Sequence, residues 1–138
     1  MQAENRLTAN VGEQRRQLAV MLAVSWPGDA SVLSDVAAMY DSLRLRSFQP
    51  NEILSLMGDL HRGSLIAFLE RVSEQISTWS EGEIFFYCSG HGYCTESEEP
   101  GLWLSEGQDS PQFRVLWEEM FKALRLPRQV RVTLLPDA

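Results

Sequence analysis

Apolar residues along the chain fall into short continuous runs that are separated by segments with helical spacing. Residues 17–25 are almost uniformly apolar, which is typical of a strand buried on both faces. Shorter runs at residues 52–57, 83–88 and 130–135 predict three further strands. Between the runs, apolar residues recur at helical spacing over residues 33–43 and 65–79, which predicts two amphipathic helices.

The stretch between the third and fourth strands is less regular. Residues 101–104 predict a short edge strand within a long polar excursion. Ser110 followed by Pro111 is typical of a helix start, and Pro127 is expected to end that helix. The alternation of strands and helices predicts an α/β fold, a three-layer sandwich with a mainly parallel sheet and helices on both faces. Function in such sheets gathers at the carboxyl ends of the strands, here the segment after residue 88 and the end of the chain.

Length and composition fit one domain of 138 residues, with residues 1–16 as a polar N-terminal arm and residues 17–138 as the folded part. No apolar stretch reaches the ~18 residues of a membrane span, and the polar start is unlike a secretory signal. Two cysteines without such a signal favour a reducing, cytoplasmic location. The net charge of −7 argues against a nucleic-acid partner, which would need a basic face.

Acidic residues are concentrated in one part of the chain. Residues 72–113 contain no Lys or Arg and eight acids: Glu74, Glu81, Glu83, Glu96, Glu98, Glu99, Glu106 and Asp109. Such a stretch is most simply a set of solvated loops. It would also create a negative field that attracts a basic ligand or a cation.

The segment with the most distinctive chemistry is Ser89-Gly90-His91-Gly92, directly after an aromatic strand. A histidine in this position would lie at the carboxyl edge of the sheet, and the flanking glycines allow the backbone to turn sharply there. An amide beside a catalytic histidine can donate a hydrogen bond to a developing oxyanion. Without further context, however, a lone loop histidine is usually an ordinary surface or core residue.

Residues 85–92 (FFYCSGHG) resemble the caspase-like cysteine peptidases, above all the metacaspases, in which an aromatic strand ends in Y-x-S-G-H-G. The end of the chain, residues 134–138 (LLPDA), is similar to the family's second motif, a hydrophobic strand that ends in D-x-C. Residues 34–48 are similar to a third pattern, N-D-A/V-x-x-M-x-x-x-L-x-x-x-G-F, with Ser34 in place of Asn and Ser47 in place of Gly. The resemblance covers roughly residues 17–138, the larger (p20-type) catalytic half of such an enzyme.

The resemblance implies a caspase-like fold and a cysteine endopeptidase that cleaves peptide bonds after Arg or Lys. His91 matches the base of a Cys–His dyad, and Gly92 matches the residue whose N–H contributes to the oxyanion hole. Asp35 and Asp137 match the two acids of the pocket that selects a basic side chain. Apart from the resemblance, Asp35 would be a solvent-facing helix residue and Asp137 a turn residue at a strand end.

The nucleophilic Cys of the family would be the residue after Ala138, so the domain is expected to be truncated at its C-terminus. The 138 residues alone should therefore be inactive. The expected partners are a peptide substrate with a basic residue before the scissile bond and the remaining p10-type C-terminal portion. Without that portion, the strand at 130–135 would be left as an open edge.

No cofactor is expected. Calcium would fit the loop acids Glu96, Glu98 and Glu99, but no EF-hand-like spacing supports it. Zinc is disfavoured because Cys88, His91 and Cys94 supply only three ligands in one loop, whereas a structural zinc site uses four. The metal-ligand assignment therefore stays empty.

Two other functions remain open. The first is a catalytically dead caspase-like adaptor that binds a partner through its open strand. The second is a flavodoxin-like or receiver-like signalling domain. A receiver is disfavoured because its acid cluster and phosphorylatable Asp are missing from the ends of the first and middle strands. No glycine-rich nucleotide motif occurs.

Overall fold

The computed structural model describes residues 16–25, 31–104 and 110–137, apart from the side chains of Tyr93 and Asp137. Residues 1–15 of the expected N-terminal arm lie outside these ranges. The strands are β1 (Gln17–Val24), β2 (Ile53–Gly58), β3 (Gly82–Ser89), β4 (His91–Cys94), β5 (Pro100–Trp103), β6 (Arg114–Leu116) and β7 (Val130–Asp137). The helices are α1 (Ser31–Leu45), α2 (Arg62–Ile76) and α3 (Trp117–Leu124).

Four strands form one parallel sheet in the order β2-β1-β3-β7. β1 lies at its centre, where neighbours on both sides and helices on both faces exclude water. Its residues from Leu18 to Val24 are at most 1% exposed, which explains why the sequence there is continuously apolar. The mainly parallel α/β architecture predicted from the sequence is thereby confirmed.

The two faces of the sheet are covered by different helices, because successive side chains of a strand point to opposite faces. On one face, Met21 and Tyr87 pack with Val32, Val36 and Leu43 of α1. The opposite face holds the larger cluster, in which side chains of β1 and β3 pack against α2 and α3. Its buried members include Leu18, Val20, Leu22, Ile84, Phe86, Leu65, Leu69, Val72, Met120 and Leu124.

The prediction of a helix from Pro111 is wrong. Ser110 and Pro111 begin only a single 3-10 turn, Pro111–Phe113, and the chain then enters β6. The N–H of Leu104 donates to the carbonyl of Phe113 at 2.7 Å, which extends the pairing between β5 and β6. The helix proper begins at Trp117 and ends at Leu124, before Pro127.

The short strand predicted at residues 101–104 exists as β5, but it is not an edge strand. It is the central strand of a separate antiparallel sheet, β4-β5-β6. Gly101 is required there, because a Cβ at this position would lie 2.4 Å from the carbonyl oxygen of Val115. Leu102 and Val115 are buried and join the larger core cluster, so the small sheet is packed onto the domain by its inner face.

Polar contacts stabilise α2 and α3, the two helices that cover the larger core cluster. His61 lies at the surface, and its Nδ1 accepts a hydrogen bond from the N–H of Ser64, which caps α2. Arg62 at the start of α2 forms an ion pair with Glu119 of α3. Burial alone would raise the pKa of Glu119, but hydrogen bonds from Arg62 and Leu116, with the charge of Arg62, hold it below its ordinary value.

Within the described ranges, no helix combines the length and apolarity required to cross a membrane.

Candidate functional site

The carboxyl ends of β3 and β7 lie side by side. In the parallel register between these strands, Ser89 pairs with Asp137. His91 follows Ser89 by only two residues, so the end of β7 adjoins the segment that carries this histidine. The fold therefore brings together the two strand ends that the sequence marked as candidate site segments.

His91 and Gly92 are the first two residues of β4. They pair with Trp103 and Leu102 of β5, so the backbone of both residues is held by a strand ladder rather than by an irregular loop. The His91 side chain is exposed. Because Leu102 faces the core, the alternation of the strand directs His91 and Trp103 to the opposite, outer face of the small sheet.

A row of three polar or aromatic side chains crosses this outer face. His91 of β4 pairs with Trp103 of β5, and Trp103 pairs with Arg114 of β6. The guanidinium carbon of Arg114 lies 6.0 Å from the centre of the Trp103 ring, within the range of a cation–π contact. Neither Trp103 nor Arg114 was among the candidate residues that the sequence indicated.

Asp35 lies on the exposed side of α1 and lines a shallow groove of about 390 Å³ between this helix and the end of β7. The other lining residues are Ala38, Met39, Ser42, Tyr87, Leu135 and Pro136. Asp137 belongs to β7 directly after Pro136, at the same edge of the sheet. The backbone thus places Asp137 one residue beyond Pro136 of a groove that Asp35 lines, where a carboxylate would favour a basic side chain.

The two cysteines do not converge on His91. Cys88 is fully buried in the core beneath α2 and α3, whereas Cys94 is exposed, and neither forms a disulfide among the described residues. Cys94 is three residues from His91 in the same strand, so the two side chains point to opposite faces. Among the residues that the structure describes, no three His, Cys, Asp or Glu side chains assemble as metal ligands.

The site thus combines an exposed imidazole, a glycine amide in the next position and a nearby carboxylate-lined groove. An imidazole can exchange a proton with a reacting group, and the groove can receive a basic side chain.

Comparison of the sequence with protein-family models finds no matching family, and comparison with curated proteins finds no significant relative.

Proposed function

We propose that the chain is the larger, histidine-bearing portion of a caspase-like, metacaspase-type cysteine endopeptidase. The observation that supports this most is the register of β3 and β7, in which Ser89 lies opposite Asp137. A cysteine at position 139, two residues after the end of β7, would follow the strand end that adjoins the segment carrying His91. Nucleophile and base would then come from neighbouring strand ends of one rigid sheet.

His91 transfers the proton in each step of the proposed reaction. It takes the proton of the cysteine thiol, and the thiolate attacks the carbonyl carbon of the scissile peptide bond. The imidazolium then gives this proton to the departing amine as the C–N bond breaks, which leaves an acyl-enzyme. Water attacks the thioester with His91 as base, and the thiol is restored. The N–H of Gly92 stabilises the oxyanion formed in both steps.

Asp35 and Asp137 provide the preference for Arg or Lys before the scissile bond. Asp35 reaches the groove from α1, and Asp137 lies in the strand that leads to the nucleophile. The acids of residues 72–113 add a negative field that would raise the local concentration of a basic peptide.

The coding sequence beyond codon 138 and the activity of its full product test this proposal. We expect a Cys codon next, and cleavage of peptides after Arg or Lys but not after Asp. The 138 residues alone should not cleave. His91→Ala should lower kcat/KM by about 10²–10⁴-fold, because general acid–base catalysis is removed. His61→Asn, which changes the other histidine but keeps a capping group for α2, should retain activity.

A different residue or a stop at codon 139, or full activity in the His91→Ala variant, would overturn the peptidase proposal. A second function then has an observation in its favour. Among the described strands, none pairs with the outer side of β7, and Leu134 and Leu135 remain 37% and 39% exposed. A non-enzymatic module that binds a partner strand along β7 would use this edge. Binding of an extended peptide along β7, without cleavage of that peptide, would identify this non-enzymatic function.

A further inference from the structure

The outer face of the small sheet carries an ordered row beside the candidate catalytic base. His91, Trp103 and Arg114 occupy directly opposed positions on three consecutive strands. Directly opposed side chains of antiparallel strands have their Cβ atoms about 5 Å apart, so the row extends about 10 Å from the imidazole. Trp103 and Arg114 are each partly exposed, and the core is sealed beneath them by Leu102 and Val115.

We propose that this row is the subsite for the part of the peptide that follows the scissile bond, with Trp103 and Arg114 as specificity-determining residues. The inference rests on the proposed function. It adds a selectivity on the leaving-group side, which is distinct from the preference for a basic residue that Asp35 and Asp137 would provide.

The chemistry of the leaving group places this part of the peptide next to Trp103. His91 must reach the departing nitrogen to protonate it, so the residue that carries this nitrogen passes within hydrogen-bonding distance of the imidazole. Trp103 is the residue directly across from His91. Its ring offers a flat apolar surface on which an aromatic side chain can stack. We therefore expect Phe or Tyr to be favoured directly after the scissile bond.

Arg114 extends the same selectivity along the peptide. An extended peptide advances about 3.3 Å per residue, so a position about 10 Å from the imidazole corresponds to the second or third residue after the scissile bond. Arg114 is also the first cation after a stretch of 42 residues, 72–113, that contains no Lys or Arg. A guanidinium has five donors and can bind a ligand carboxylate alongside other partners. We expect an acidic residue, or the carboxylate of a short peptide, to be favoured there.

The test measures kcat/KM of the full-length protein on matched peptides with Arg before the scissile bond. One pair of peptides differs only by Phe or Gly directly after that bond. The other pair differs by Glu or Lys at the third position after it. An arginine methyl ester serves as a substrate that releases only methanol and has no peptide to contact the row.

Trp103→Ala should reduce the preference for Phe over Gly by roughly three- to ten-fold, the range of an aromatic contact, and Trp103→Phe should restore most of it. Turnover of the methyl ester should stay within about two-fold of the parent, a result that loss of structure would not give. Arg114→Gln should abolish the preference for Glu over Lys. The matched change Arg131→Gln removes an exposed arginine at the far end of β7 and should leave that preference intact.

The outcomes separate the two proposals. If the parent protein cleaves no Arg or Lys peptide, the peptidase proposal fails and the subsite fails with it. If the parent cleaves but its selectivity after the scissile bond is unchanged in Trp103→Ala and Arg114→Gln, only the subsite is overturned. Equal losses on the peptides and on the methyl ester would also overturn it, because Trp103 would then act through the fold or through His91.

Discussion

β1 and β7 are both eight-residue strands of the same parallel sheet, and both pair with neighbours in parallel register. From Leu18 to Val24, β1 is at most 1% exposed, whereas β7 still exposes more than a third of Leu134 and of Leu135. The difference lies in position: β1 has β2 and β3 on its two sides, and β7 has only β3 among the described strands. Apolar side chains are therefore buried at the centre of the sheet and partly exposed at its edge.

The contrast also runs along β7 itself. Val130 is buried and Val132 is partly buried against the core that α2 and α3 close. Leu134 and Leu135, nearer the candidate site, remain open to solvent. An edge strand with exposed apolar side chains and unpaired backbone groups invites another strand to pair with it. The exposed half of β7 is the half that adjoins His91, so the same feature serves the peptidase proposal and its non-enzymatic alternative.

The largest expected effect comes from truncating matched leucines in the two strands. Leu22→Ala removes a side chain that is 0% exposed and should lower the free energy of unfolding by about 2–5 kcal/mol. Leu134→Ala removes a side chain that is already 37% exposed and should cost about 1 kcal/mol or less. Urea denaturation followed by circular dichroism measures both. Equal costs would mean that the second half of β7 is covered in solution.

A smaller effect is expected on association of the 138-residue chain. Pairing of β7 with the β7 of a second copy would make this chain self-associate. Replacing both Leu134 and Leu135 by Lys should weaken that association by about ten-fold or more, because charges on an edge strand oppose pairing. Sedimentation velocity over a range of concentrations measures this. Met57→Lys is the matched control, since Met57 is 46% exposed on β2 at the opposite edge of the sheet. If the control dissociates the protein equally well, the contact does not involve β7.

The elements that the sequence predicted well are those in which one face or both faces are buried. The continuous apolarity of β1 and the helical spacing in α1 and α2 each report burial directly, so their positions were confirmed to within a few residues. The segment at 110–116 was misread because Ser-Pro signals the start of a turn as well as of a helix. The conformation of this segment is determined by its pairing with β5, which no local sequence pattern contains.

The candidate site likewise combines features that are local in the sequence with features that depend on contacts between distant residues. The glycines around His91 and the aromatic strand before it are local features, so the sequence could place this residue at the carboxyl edge. The row of His91, Trp103 and Arg114 depends on the registers of two strand pairs, and the three residues are 12 and 11 positions apart. A two-residue alternation in residues 101–104, read as a strand with Leu102 and Leu104 inward, would have directed Trp103 outward. Only the structure shows that His91 and Arg114 are the residues paired with Trp103 on its two sides.

The smallest expected effect concerns α3, which helps to cover the first half of β7 and is tied to α2 by the pair Arg62–Glu119. Because the pKa of Glu119 is lowered in the folded protein, its ionised form stabilises the fold at neutral pH, and this contribution is lost as pH falls through the folded pKa. Glu119→Gln should therefore cost about 0.5–1 kcal/mol at pH 7, with the gap to the parent closing in acid below the ordinary glutamate range. Glu118→Gln, which changes an exposed neighbour in the same helical turn, should show a smaller cost at pH 7. Urea titrations from pH 7 to pH 3 measure the gap. A gap that stays constant with pH would show that Glu119 acts through shape rather than charge, and that α3 is held over β7 by its apolar face alone.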